Sequence, residues 1–181
     1  MKKYIALSVV LVAFTFFSCG NEKKKTEPEI IEVETAEAPT EYTAENTDVS
    51  FTDGKMADVF KQYIQLKTAL VNTDAEKASA EATILRDIFV KIEASEATIT
   101  AAQNLAESKD VEVQRTAFVR VTSAVEQLME GALSSGTIYK QYCPMAFGNT
   151  GASWLSESKE IYNPYFGDKM LRCGRVQAEI K

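Results

Sequence analysis

The chain has 181 residues, 26 acidic against 20 basic for a formal net charge of −6, and no histidine. An acidic chain without a basic stripe repels phosphate backbones and anionic headgroups, which argues against nucleic-acid binding and against electrostatic attachment to lipid. The missing histidine removes the usual general base, the commonest metal ligand and the ordinary pH switch together.

Lys2 and Lys3 precede an apolar run over residues 5–17, followed by Ser18 and Cys19. That order predicts a removable signal peptide over 1–18, since the run is shorter than the roughly 20 apolar residues a membrane-crossing helix needs. A small residue placed directly before Cys19 resembles the bacterial lipobox, with Phe16 standing where leucine is usual. The resemblance implies that Cys19 is acylated and becomes the mature N-terminus. At about 0.8 kcal/mol per buried methylene, several acyl chains tie a domain firmly to a membrane. Residues 19–50 carry Glu, Thr, Ala, Lys, Pro28 and Pro39 with few apolar side chains. They read as a disordered acidic linker, and residues 51–181 as one domain.

Within that domain Met56, Val59, Phe60, Tyr63, Leu66, Leu70 and Val71 recur at three- and four-residue spacing and predict a first helix. Asp74 caps a second, striped by Ala78, Ala82, Leu85, Ile88, Phe89 and Ile92. Ile99, Ala102 and Leu105 mark a shorter third piece. Asp110 caps the longest remaining pattern, with Val113 or Ala117, then Val121, Val125, Leu128 and Met129 inward, ending near Ser134, Ser135 and Gly136. Short loops between such helices predict a mainly α fold, a small bundle of three to four helices.

After Gly136 glycine, proline and aromatic residues dominate, so an irregular C-terminal segment of loops, turns and short strands is expected to pack on the bundle. Trp154 and Phe166 are expected as packing anchors, and Asn163-Pro164 as a turn initiator. Two cysteines lie here, each near a methionine: Cys143-Pro-Met145 and Met170-Leu-Arg-Cys173. Two thiolates and two thioethers are soft donors that select Cu(I) or Ag(I) over oxygen-seeking ions. Their spacing does not match a zinc ribbon. Three readings stay open for the cysteines: a disulfide between Cys143 and Cys173, a soft-metal site, or two unpaired thiols.

The stretch 142–174, YCPMAFGNTGASWLSESKEIYNPYFGDKMLRCG, resembles the domain-of-unknown-function family numbered 3347, with its Y-C-P-M-A, G-A-x-W-L-S and I-x-N-P-Y-F-G-x-x-M-x-x-C-G. Arg115-Thr-Ala-Phe118 is a further local echo in the helical part. The resemblance implies a periplasmic lipoprotein domain associated with heavy-metal efflux adaptors, and points to Cys143, Met145, Met170 and Cys173 as a ligand set. The expected function is an envelope lipoprotein that binds Cu(I) or Ag(I) through sulfur, in metal homeostasis or resistance. The rival is a structural or interaction domain clamped by a Cys143–Cys173 disulfide, with Tyr162, Tyr165 or Trp154 forming an exposed patch. On either reading no cofactor beyond a bound Cu(I) or Ag(I) is expected. The expected partners are the membrane, through lipid on Cys19, and an efflux adaptor or other envelope protein, and the expected location is the outer membrane, facing the periplasm. An enzyme is the least supported class, because no base stands ready beside a thiol and no phosphate loop or carboxylate pair stands out.

Overall fold

The computed structural model describes residues 41–44 and 48–181, all within one compact unit, Glu37–Lys181. The predicted signal segment, Cys19 and the linker up to residue 40 lie outside the described residues.

Four helices make the bundle: α1 Gly54–Val71, α2 Ala75–Lys91, α3 Glu96–Glu107 and α4 Val111–Met129. Each begins at an oxygen-bearing side chain that accepts from the first turn, where backbone N–H groups have no partner of their own. Asp53 accepts from Lys55 N, Asp74 from Lys77 N, Ser95 from Thr98 N, and Asp110 from Glu112 N and Val113 N. Connections of a few residues force consecutive helices to pack side by side, and α1 against α4 closes the bundle. The fold is mainly α, as the 3.6-residue periodicity predicts. Among the described residues no helix is long and apolar enough to cross a membrane.

The face of α4 differs from its expected stripe. Val113 is 52% exposed, and the buried positions are Gln114, Arg115, Phe118, Val121, Thr122, Val125 and Met129. A buried arginine and glutamine occupy places where a hydrophobicity count looks for aliphatics. The helix also stops at Met129, before the expected Ser134, because Gly131 turns the chain (φ 71) into a strand.

That strand, β2 Leu133–Ser135, pairs antiparallel with β1 Ser50–Phe51. β3 Ile138–Cys143 is the centre of a second sheet, flanked antiparallel by β4 Ala152–Ser156 and β5 Arg175–Ile180. The C-terminal region therefore includes the expected short strands, joined into a regular sheet. Tyr63 of α1 couples the layers: its hydroxyl hydrogen-bonds Thr122 of α4 at 2.9 Å and accepts from Leu155 N of β4 at 3.0 Å.

The expected linker end at residue 50 is too late. Ser50 already pairs in β1, and Tyr42 sits on the domain, its N–H donating to Asn72 Oδ1 and its carbonyl accepting from Asn72 Nδ2, both at 2.9 Å. Composition marks this stretch as polar, but one aromatic and two backbone groups suffice to seat it.

Candidate functional site: a thiol pair at the sheet edge

Cys143 ends β3, opposite Ala152 of β4, with its side chain fully buried. Cys173 approaches from the other arm of the motif. The chain leaves β4, turns at Asn163-Pro164, passes through a 3-10 turn over Gly167–Met170, and presents Cys173 just before β5. Asn163, itself fully buried, makes that return possible. Its Oδ1 accepts from Tyr165 N at 2.8 Å, its N–H donates to Leu171 O at 2.9 Å, and its Nδ2 donates to Cys173 O at 2.7 Å. The expected turn initiator thus also holds the main chain of Cys173 in place. Gly174 follows in a backbone conformation rare for L side chains (φ 150), and a Cβ there would stand 2.8 Å from the Trp154 ring.

The two thiol sulfurs meet at 2.8 Å, unbonded, across 30 residues of chain. The hydrogen bond to Cys143, followed by burial and by the charge Cys143 would carry, pushes the Cys173 thiol up to about 11. Cys173 therefore keeps its proton at neutral pH. Anything that takes both as thiolates, a soft ion above all, must displace protons.

The two methionines near these cysteines in sequence differ in exposure. Met145, 46% exposed, precedes the turn Ala146–Asn149, in which Phe147, Gly148 and Asn149 all take positive φ (51°, 64° and 69°). A left-handed phenylalanine is costly and persists only where its surroundings hold it. Here Gly151 N donates to Ala146 O at 2.9 Å, and the Phe147 ring meets Tyr165 edge-on at 5.4 Å. Met145 and Phe147 are exposed, two and four residues after buried Cys143. Met170 ends the 3-10 turn, partly buried, and its carbonyl accepts from Cys173 N at 3.0 Å.

The aromatics are arranged for packing. Trp154 is fully buried and Tyr165 nearly so (4%), with rings edge-on at 6.1 Å, so neither belongs to an exposed patch as the interaction reading expected. Phe166 packs against the core, partly buried. Tyr162 is half-buried, and the large apolar side chains exposed near the site are Met145 and Phe147. Among the described residues no group of three or more His, Cys, Asp or Glu is placed to hold a metal ion, so any ion here would rest on the cysteine pair and thioethers.

The two sequence echoes turn out to be two sides of one junction. Arg115 on α4, 1% exposed, donates from Nε to Pro164 O at 2.9 Å, from Nη1 to Glu112 Oε1 at 2.7 Å, and from Nη2 to Leu70 O and Thr73 Oγ1 at 3.2 and 3.1 Å. Phe118 packs on Tyr165 at 5.9 Å. The bundle thereby fixes the Asn163–Gly167 turn on which Cys173 depends.

Residues 59–136 match the model of a family described as Protein of unknown function (DUF3347). Over these residues the bundle is similar to that family. The match begins inside α1, takes in α2 to α4, includes the Arg115 stretch and ends before β3. It therefore rests on the helices, not on the motif over residues 142–174. No curated protein and no solved structure matches the chain.

One further cluster was missed from the sequence. Lys67, on the buried face of α1, pairs with Glu157 just after β4 at 2.6 Å, both side chains fully buried. Its signal was a lysine inside the run Leu66 to Val71, all of which is buried.

Proposed function

We propose that the protein is a non-catalytic envelope lipoprotein whose reduced Cys143–Cys173 pair binds a soft monovalent ion, Cu(I) or Ag(I), for metal homeostasis or resistance. Cys19 would carry the lipid that holds it at a membrane, with an efflux adaptor or another envelope protein as the recipient of the ion. The supporting observation is the meeting of two thiols 30 residues apart at 2.8 Å, in a protein without histidine, with an exposed methionine, Met145, two residues after Cys143 in the chain. Two thiolates with thioether help are the donors such ions select. Met145 on its raised turn and Met170 before Cys173 are the candidate third and fourth donors.

The sulfur separation also sets what binding requires. Two sulfurs about 2.3 Å from one ion stand about 3.8 Å apart at a tetrahedral angle, and farther if the ion is two-coordinate. The pair must open by about 1 Å, which a side-chain rotation at Cys173, outside the strands, supplies. The same 2.8 Å favours a second reading, a disulfide that clasps the 3-10 arm to β3, since bonded sulfurs stand at about 2.05 Å. On that reading the domain is structural or an interaction module, and the exposed Met145 and Phe147 are its contact surface.

Competition titration of the fully reduced chain with Cu(I) and a chromogenic chelator separates the two. The metal reading expects one equivalent bound, with Cys143→Ser or Cys173→Ser weakening it by more than about a hundredfold and Met145→Leu by less. Because protons must leave, affinity should rise with pH, by up to about tenfold per unit for each proton released, across the range below about 11 where Cys173 holds its proton. Equal affinity in the cysteine variants would overturn the metal reading.

A further inference from the structure

The Lys67–Glu157 pair lies beneath Tyr42, and together they make a small slot with a defined chemistry. Asn72 uses its amide to read both main-chain groups of residue 42, N–H and carbonyl, so it recognises an extended strand irrespective of side chain. The Tyr42 ring stacks on Tyr162 with centroids 4.1 Å apart, and Lys67 Nζ lies 5.4 Å from its centre. Its hydroxyl donates to Glu157 Oε1 at 2.7 Å and accepts from Lys67 Nζ at 3.2 Å. Ser156 Oγ completes the floor, 3.4 Å from Lys67 Nζ. Glu41, the residue before, reaches Lys77 at 3.6 Å on the exposed rim.

A mere cover would not need this floor. A buried ion pair is often no more stabilising than apolar residues of the same size, because desolvation of two charges offsets their attraction. What the pair does supply is a carboxylate to accept a hydrogen bond from a phenol hydroxyl and an ammonium to donate to the phenol oxygen. Together with a backbone-reading amide and an aromatic wall, these are the parts of a site that selects a tyrosine in an extended segment.

We propose that this slot is a peptide-binding site for an extended segment bearing a tyrosine after an acidic residue, filled in cis by residues 41–44, which act as its built-in competitor. The partner class is another protein presenting such a segment. The site lies at the end of α1 and after β4, and does not depend on whether the cysteines bind metal. Displacement of Tyr42 by the partner would release residues 41–44 while the partner's tyrosine takes up the contacts to Asn72, Lys67 and Glu157.

The test is calorimetric, using the full chain and a peptide copying residues 40–44, Thr-Glu-Tyr-Thr-Ala. Tyr42→Ala should bind one equivalent, and the wild-type chain at least about tenfold more weakly because its own residue competes. Adding Asn72→Ala to the open variant should cost about another tenfold, as should replacing the peptide tyrosine by phenylalanine. A phosphotyrosine peptide should not bind, since its charge faces Glu157. Circular dichroism checks that the variant is folded. Should Tyr42→Ala unfold, Tyr42→Phe keeps the stack and the cover, and must bind the tyrosine peptide about tenfold more tightly than wild type does. No binding to a folded open variant, equal binding to wild type, or equal binding of the phenylalanine peptide would each overturn the proposal.

Discussion

Replacing Arg115 by alanine is expected to destabilise the domain by about 3 to 5 kcal/mol, a large share of the 5 to 15 kcal/mol that holds a typical domain together. The guanidinium is buried and spends its donors on three parts of the chain: the Pro164 carbonyl, the α1–α2 corner at Leu70 and Thr73, and Glu112 on its own helix. Truncation strips the Pro164 carbonyl of its donor and leaves a cavity the size of the side chain. Lysine at this position keeps the charge but not the planar fork, so Arg115→Lys should recover less than half of the loss. Gly167→Ala should injure the same junction from the opposite side. Its φ is 57°, and a Cβ would crowd Thr73, Arg115 and, at 2.9 Å, the Val71 carbonyl. Urea unfolding of both variants measures the cost. A change below about 1 kcal/mol in Arg115→Ala would show that the junction does not organise the motif. Thiol reactivity supplies the second readout: loosening the Asn163–Gly167 turn should expose Cys173, so both variants should react faster with a disulfide reagent than wild type.

Lys67→Met should cost a similar amount, about 3 to 5 kcal/mol, because it leaves the Glu157 carboxylate buried without its cation. The double variant Lys67→Met, Glu157→Leu should recover most of that loss, since apolar residues need no compensation there. Burial alone would raise the Glu157 carboxyl, but the Lys67 ammonium and the hydrogen bonds from Lys67 and Tyr42 outweigh it and hold it below the ordinary carboxylate value. Burial pushes Lys67 below its ordinary value, against the opposing charge and hydrogen bond of Glu157. A folded-state carboxyl below its unfolded value contributes stability that is complete above the unfolded range, near pH 4 to 5, and is lost as pH falls through the folded value. The wild type should therefore lose stability relative to the double variant as pH drops below about 4. A pH-independent difference between the two would contradict the ion pair.

The helices were legible because their signals are local. Asp74 and Asp110 cap where expected, and the stripes of α1 and α2 face inward. The face of α4 was not, because Gln114 and Arg115 are buried through hydrogen bonds to distant backbone that no periodicity encodes. Tyr42 was hidden for the same reason. Its partners Asn72, Glu157 and Tyr162 lie 30 to 120 residues away, and its neighbours in sequence are polar. At the candidate site, residue type was readable and proximity was not: the sequence offers two cysteines and two methionines, while the contact between the thiols comes from β3, the Asn163 turn and the Arg115 junction acting together. The family likeness shows the same division, since the family model matches the bundle and not the sulfur-bearing arm.

The central claim is that Cys143 and Cys173 together hold one soft ion. Copper X-ray absorption on the reduced full chain, loaded with one equivalent of Cu(I), tests it most directly. The account predicts a first shell of sulfur alone, two or more atoms at about 2.3 Å, lost in the Cys143→Ser, Cys173→Ser double variant. A shell of nitrogen or oxygen, or one unchanged in that variant, would contradict it.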